Sequence, residues 1–292
     1  MRPSASVLLI DIGNTRIKWA RWHPGRLSRM QAAFHAGWGR KDYEQHLFGH
    51  SRRSSSGDEQ VIVASVAGAR VNRLLAAAAR RAWNARARFI ATSRRAAGVT
   101  TRYRETWRLG VDRFAGVVGA RSFLGPTGAC VINAGTAVTI DLLDSKGVHL
   151  GGAILPGPRL MVSSLLGGTA GIEARARENA NRRRRGRPGG HAALFARSTR
   201  DAIEEGARYA VAAAVDRAVL EGRRVLGRTP RVLLTGGGVE ELEPLIRARH
   251  VRVPDLVLRG IAAQAGLPLR RGNSSGQLLG GATGSGKVPP RR

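Results

Sequence analysis

Short apolar runs bounded by polar turns alternate with stretches of helical periodicity from residue 7 to about residue 265. Val7–Ile10 is a continuous apolar run of the kind a buried strand makes, and it ends at Asp11. Gly13-Asn14-Thr15 then turns the chain into a second apolar stretch from Ile17 to Ala20. The same reading predicts strands over 7–11, 16–20, 60–66 and 87–91, with helices over 69–82 and 112–124. After the turn signal Gly125-Pro126-Thr127-Gly128 come strands over 129–133, through Ile140, over 147–154 and over 231–235. Helices are predicted over 158–166, over 199–226 between a Ser198/Thr199 cap and Gly227, and over 239–248. The polar segment 49–59 reads as a surface loop. Strands alternating with helices predict an α/β fold.

The pattern repeats. In the first unit an apolar strand ends at Asp11 and turns at Gly13-Asn14-Thr15; in the second, Ala129–Asn133 turns at Gly135-Thr136 into another strand. The spacing is about one domain length, so the chain is expected to divide into residues 1–125 and 126–272. A third unit, the strand 231–235 running into Gly236-Gly237-Gly238, has the same strand-to-glycine form. Glycine turns let backbone approach phosphates and a nucleoside closely. Asp11 at a strand end can hold Mg²⁺ through water, and Lys18 adds a positive point charge. Taken singly, the Asn-Gly-type hairpin and the Gly236–Gly238 turn are also ordinary connections. Taken together they suggest a nucleotide clamped between two similar units.

Composition narrows the classes. No apolar run of about 18 residues occurs, so nothing is expected to span a membrane, and the apolar start is too short for a signal peptide. Cys130 is the sole cysteine, which excludes an internal disulfide and points to the cytoplasm. The formal net charge is +29, and only Lys18, Lys41, Lys146 and Lys287 are lysines. Arginines scattered over predicted helices read as a solvated basic surface, which binds nucleic acid only as a non-specific polyanion. The densest cluster, Arg182–Arg185 with Arg187, reads as an exposed loop, and residues 273–292 as a disordered basic tail.

Gly110-Val111-Asp112-Arg113 is the candidate for chemistry. Asp112 at a helix start can simply be a first-turn acid, or it can accept the proton of a hydroxyl that attacks phosphorus. Arg113 beside it suits an anionic part of a substrate, and Tyr103 can add a hydroxyl to the same pocket or simply pack against it. The segment 281–287 matches G-x-x-x-x-G-K, but Val288 stands where a hydroxyl is needed and no strand precedes it, so it reads as a chance match. The histidines show no metal-ligand spacing, and no G-x-S-x-G elbow is present.

In order and spacing, these motifs resemble those of the type III pantothenate kinases, members of the superfamily of acetate and sugar kinases, heat-shock protein 70 and actin. The matching pieces are Asp11–Thr15 with Lys18 and Trp19, Tyr103, Leu109–Phe114, Gly135–Thr139 with Asp141, Gly151–Gly157, Ser198–Ile203 with Gly206, and Gly236-Gly237. The resemblance implies two actin-like (ribonuclease H-like) domains with a nucleotide cleft between them, and the ATP-dependent phosphorylation of pantothenate to 4′-phosphopantothenate. It implies that Asp112 is the base, and that Tyr103, Gly110, Val111 and Arg113 bind pantothenate. It places Asp11, Ile12, Gly13, Asn14, Thr15, Arg16, Lys18, Gly135, Thr136, Gly236 and Gly237 around ATP, with Asp11 holding Mg²⁺ through water. It also implies a homodimer packed through the second-domain helices, with Thr199 reaching the partner's substrate site. Many relatives carry Asp where this chain has Asn133, the position that helps hold a monovalent cation such as K⁺ or NH₄⁺; Asn133 offers a carbonyl oxygen without charge. The alternatives weighed against this reading are a nucleic-acid-binding regulator on a kinase-like fold and a kinase of the same superfamily acting on another small hydroxylated substrate.

Overall fold

The structure, a computed structural model, describes residues 7–49, 59–168 and 194–271. The arginine cluster at 182–187, the tail from residue 273 and the 281–287 segment lie outside the described residues.

The chain opens with strands β1 (Val7–Ile12), β2 (Arg16–His23), β3 (Arg26–Leu27) and β4 (Gln31–Phe34), followed by a short helix α1 (Arg40–Tyr43) that continues as a π-turn over Glu44–Phe48. Strand β5 (Gln60–Ser65), helix α2 (Ala69–Trp83) and strand β6 (Ala87–Phe89) follow. Next come β7 (Arg95–Ala96), β8 (Val99–Thr101) and helix α3 (Val111–Leu124). The second half holds β9 (Ala129–Ala134), β10 (Ala137–Leu143), β11 (Val148–Pro156), α4 (Pro158–Gly168) and the long α5 (Thr199–Leu226). It ends with β12 (Arg231–Thr235), α6 (Val239–Leu242), β13 (His250–Arg252) and α7 (Leu256–Gln264).

Two sheets result, and they share a plan. In the first, the order is β3-β2-β1-β5-β6, with β4 also on β2. Strands β1 and β2 are antiparallel, while β1, β5 and β6 run parallel. In the second, the order is β13-β12-β9-β10-β11-β8-β7. There β9 and β10 are antiparallel, and β9, β12 and β13 run parallel. The repeat seen in the sequence is therefore a repeat of topology: one hairpin, then two parallel strands added on the side of its first strand. All six residues of β1 are buried, as expected for a strand covered on both faces.

Helices cover both faces. Leu75, Ala78, Ala79 and Trp83 of α2 pack on the first sheet with Tyr43, Leu47 and Phe48. Val211, Ala212, Val215 and Val219 of α5 pack on the second sheet against Ile132, Val138, Ile140 and Leu234. Helix α3 lays Phe114, Val117 and Val118 on the other face of the second sheet. Helix α7 lays Val257, Leu258, Ile261 and Ala262 on the first sheet, against Val7, Leu9 and Ile62. Helices α3 and α7 then cross each other between the sheets. A methyl group added at Gly260 would sit 1.7 Å from the Ala115 carbonyl oxygen, and one added at Gly119 would sit 2.1 Å from that of Leu256. Glycine is required at both positions because backbone meets backbone.

Several expectations are adjusted. The helix predicted over 239–248 ends at Leu242 and passes through a 3₁₀ turn, Glu243–Leu245, because Pro244 has no N–H to continue the ladder. Strands at 31–34, 95–96, 99–101 and 250–252, and helix α7, were not predicted; each strand is short, and α7 is apolar around most of its circumference, which hides its period. Strands β7 and β8 precede residue 125 yet belong to the second sheet, and α7 follows it yet covers the first. The long helix behaves as predicted: Ser198 Oγ accepts from Asp201 N–H at 3.1 Å, and Gly227 ends the helix at φ +68°.

Gly260→Ala should cost about 2–3 kcal/mol of stability, because the helices must separate to admit a methyl group. Urea unfolding would measure it; an unchanged midpoint would contradict the crossing geometry described above.

Candidate active site

A cleft of about 490 Å³ is lined from both sheets. It brings together Asp11, Gly13, Asn14, Thr15, Arg16 and Lys18 from the first hairpin with Asn133, Gly135 and Thr136 from the second, together with Asp112 and Gly237. Each hairpin turn is closed by its own backbone: Gly13 N–H donates to the Arg16 carbonyl at 3.0 Å, and Gly135 N–H donates to that of Ala137 at 3.0 Å. Those two N–H groups are therefore used inside the turns. What the turns present to each other are hydroxyls, with Thr15 Oγ1 and Thr136 Oγ1 only 3.0 Å apart across 121 residues of sequence.

Neighbouring elements set both turns. His35 is buried; its Nε2 donates to the Gly13 carbonyl at 2.8 Å, while the Tyr43 hydroxyl, 3.1 Å away, donates to Nδ1. This ties the Gly13 carbonyl to the buried His35 ring. Under the second turn, Gly157 N–H donates to the Thr136 carbonyl and Gly238 N–H to that of Ala134, each at 2.9 Å. Gly236 adopts φ +103°, and a side chain there would strike the Ala134 carbonyl at 2.1 Å. Arg16 lies under Gly237 and against the exposed ring of Phe34, 4.5 Å from its centroid.

Asp11 and Lys18 are direct partners across β1 and β2, with Nζ 3.7 Å from Oδ2. Burial pushes the Asp11 carboxyl above its ordinary range, Lys18 pulls it down, and the negative charge of Asp112 pushes it up again. Asp112 lies in the first turn of α3, where one carboxylate oxygen accepts the Arg113 N–H at 2.8 Å. Two carboxylates lining one cleft, with Lys18 paired to Asp11, fit a divalent cation. Magnesium is commonly held by only one or two carboxylates plus substrate phosphates.

The remaining predicted residues lie off this cleft. Ile12 has its side chain in the core, and its carbonyl accepts from Val66 N–H at 3.0 Å. Gly236 lies beneath the turn. Tyr103, Gly110, Val111 and Arg113 cluster behind Asp112. Arg113 is buried and binds Asp141 through Nε at 3.1 Å and Nη2 at 2.6 Å, while Nη1 donates to the Tyr103 hydroxyl at 2.9 Å. Burial works against the guanidinium charge, yet the Asp141 hydrogen bonds outweigh it and hold Arg113 above its ordinary value. Thr199 opens α5 and does not line the cleft. Sequence reasoning missed Phe34, Arg159 and Glu241 as lining residues, and Arg159 pairs with Glu241 at the cleft edge. It also gave no part to His35, which carries no short-range signal of its own.

Paired hairpin-plus-parallel-strand sheets closing on one cleft, each contributing a glycine and threonine turn, define the actin-like and sugar-kinase class. The structure overlays on component A of (R)-2-hydroxyglutaryl-CoA dehydratase from Acidaminococcus fermentans with a TM-score of 0.51 and 12% identity, covering 90% of this chain and 98% of that one. This likeness speaks for the fold alone. Residues 7–221 match the family model for type III pantothenate kinase. A protein of that name from Halorhodospira halophila is 38% identical over 264 residues, covering 87% of this chain and 95% of its own length. Another from Alkalilimnicola ehrlichii is 35% identical, covering 88% of this chain and 97% of its own. The chain belongs to the type III pantothenate kinase family.

Asp11→Asn should abolish turnover while raising the melting temperature near neutral pH. A carboxyl whose folded pKa is raised contributes stability that is present at low pH and lost as pH rises through that value. The variant escapes that loss, so its advantage should open as pH rises through the carboxylate range and close as pH falls. A lower melting temperature than wild type at neutral pH would show that the Lys18 pairing, not burial, governs Asp11.

Proposed function

We propose that this cleft binds ATP and transfers its γ-phosphoryl group to the 4′ hydroxyl of pantothenate, the first step of coenzyme A biosynthesis. Family membership and the site agree, and the observation that carries the reading is the Thr15–Thr136 contact of 3.0 Å in the same cleft as Asp11 and Asp112. The two turns take the place of a clamp: each threonine hydroxyl that now faces the other can instead face a phosphate oxygen. Gly13, Asn14, Thr15 and Lys18 grip one side of the triphosphate, and Gly135 and Thr136 grip the other. Gly237 leaves room for the nucleoside beside Arg16, Gly236 lets the turn under it pass close to the Ala134 carbonyl, and Ile12 supports the first turn from the core side.

Asp112 accepts the proton of the pantothenate hydroxyl as its oxygen bonds to the γ-phosphorus. The bond from that phosphorus to the bridging oxygen breaks, and ADP leaves. Asp11 would hold Mg²⁺ through water; when bound, the ion offsets phosphate charge. Positioning and charge compensation supply most of the rate in such transfers. Tyr103, Gly110, Val111 and Arg113 form the acceptor pocket behind Asp112.

The same reading includes two domains, residues 1–125 and 126–272, with the strands at 95–101 lent to the second sheet and α7 to the first. It includes a homodimer, supported by the exposed apolar side chains Ile154, Leu160, Leu165 and Phe195 around β11, α4 and the approach to α5; Thr199 would then serve the partner's site. It places the enzyme in the cytoplasm, in keeping with a lone buried thiol, Cys130, that burial pushes up to about 12. A K⁺ or NH₄⁺ ion would find an uncharged carbonyl at Asn133, so the activation by these ions should be weak.

Asp112→Asn should lower kcat by about a hundredfold or more and leave ATP binding within a few-fold of wild type. Release of ADP with and without pantothenate, run in Na⁺, K⁺ and NH₄⁺ in turn, tests the function together with the cation reading. Unchanged turnover in the variant would remove Asp112 from the role of base. Salt-sensitive DNA binding without any ATP turnover would favour the regulatory alternative, and turnover with simple sugars in place of pantothenate would favour the other kinase.

A further inference from the structure

Behind Asp112 a closed ring of hydrogen bonds begins and ends at Tyr103. The Tyr103 N–H donates to Thr101 Oγ1 at 3.2 Å, and Thr101 Oγ1 lies 2.9 Å from His149 Nδ1. On the other side of the imidazole, His149 Nε2 is 2.9 Å from Asp141 Oδ1. Asp141 holds Arg113 through both carboxylate oxygens, and Arg113 Nη1 returns to the Tyr103 hydroxyl at 2.9 Å. The His149 and Tyr103 rings also stack, with centroids 6.0 Å apart and planes 8° from parallel.

The chemistry of the partners fixes the direction of each bond. Asp141 only accepts, so His149 Nε2 carries a hydrogen and donates. With the imidazole neutral, His149 Nδ1 accepts from the Thr101 hydroxyl, whose oxygen is in turn the acceptor for Tyr103 N–H. Arg113 only donates, so the Tyr103 oxygen accepts from it. The phenol hydrogen is thereby left to point out of the ring, and a charged donor on a phenol oxygen strengthens that phenol as a donor.

Thr101, Asp141 and His149 are at most 1% exposed and Arg113 is 5% exposed, and a buried ion pair generally gains little over apolar groups of similar volume. Gly152 lies against this ring: a methyl group there would sit 2.1 Å from the Ile140 carbonyl oxygen of the neighbouring strand, 2.5 Å from Asp141 Oδ1 and 2.8 Å from Arg113 Nη2, so the close approach of the backbone and that of the ring both require glycine.

We propose that His149 is a positioning residue for the phosphoryl acceptor: through Asp141 and Thr101 it locks Tyr103 and Arg113 so that the Tyr103 hydroxyl donates to an oxygen of the substrate. The inference rests on the function proposed above, since it assigns the pocket behind Asp112 to the acceptor rather than to ATP. His149 touches neither substrate nor ATP. Its effect travels through two side chains that sequence reasoning assigned to substrate binding.

The test is a double-mutant cycle on the full chain. His149→Phe keeps the stacking ring and removes both nitrogens; it should raise KM for pantothenate about tenfold, the loss of one well-placed hydrogen bond, with KM for ATP unchanged. Tyr103→Phe should do the same, and the double variant should be no worse than Tyr103→Phe alone. Thr101→Val, which breaks the ring from the other side with little change of volume, repeats the measurement should His149→Phe fail to fold. Two-bond ¹H–¹⁵N spectra of the wild type should show His149 as the neutral Nε2–H tautomer. Additive effects in the cycle, equal rises in both KM values, or an Nδ1–H tautomer would overturn the inference. A wild type that fails to turn over pantothenate would overturn the proposed function and this inference with it; a working wild type beside an unaffected His149→Phe would overturn this inference alone.

Discussion

Everything in this molecule hangs on two helix backbones touching. Helix α3 belongs to the second sheet through Phe114, Val117 and Val118, and α7 belongs to the first through Val257, Leu258 and Ile261. Where they cross, Ala115 faces Gly260 and Gly119 faces Leu256, with no room for a side chain between. That contact fixes how far apart the sheets stand and therefore the width of the cleft at their strand ends. Asp112 is on the same helix, one turn before the crossing, so the carboxylate is set relative to both hairpins by the same packing. Close-packed helices of this kind have few intermediate positions, which suits a site whose halves must meet to within hydrogen-bonding distance at Thr15 and Thr136.

Much of this was legible because local signals and global fold agree. The two hairpins announce themselves through an apolar run, a polar strand end and a Gly-Thr turn, and the strand registers then place Asp11 opposite Lys18 without further information. The long helix is marked at both ends, by Ser198 and Gly227. What could not be read are contacts that join distant segments through residues of ordinary type. His35 looks like any histidine until Gly13 and Tyr43 are placed on either side of it. The glycines at 119 and 260 have no turn to signal them, since both lie inside helices. Strands β7 and β8 total five residues and are held by pairing, β8 with β11 and β7 with β8, rather than by any pattern of their own. Pro244, by contrast, is a helix stop written in the sequence, and the helix predicted over 239–248 ends just before it.

The site also divides its charges into two kinds. Arg113 and Asp141 neutralise each other in the interior, so the arginine expected to meet an anion is already held by a carboxylate. What it contributes is direction rather than net charge. Asp11 and Asp112 are the opposite case. Burial and the charge of Asp112 raise the Asp11 carboxyl while Lys18 lowers it, and a structure that tolerates this gives up stability at the cleft. Unrelieved electrostatic strain of that sort is a frequent mark of working sites.

The arginine excess sharpens that contrast. With 49 basic residues against 20 acidic ones, any carboxylate on this chain has arginines to choose from. Most surface acids take one nearby, as Glu204 with Arg200, Glu221 with Arg217 and Asp255 with Arg259. Asp11 does not: its partner is Lys18, one of the four lysines in the sequence, at 3.7 Å. A guanidinium fork would grip both carboxylate oxygens and compete with whatever the carboxylate must bind, whereas an ammonium is a movable point charge that can turn to a phosphate while leaving the carboxylate free. In a chain with only four lysines, an ammonium rather than a guanidinium fork beside Asp11 leaves that carboxylate less fully gripped.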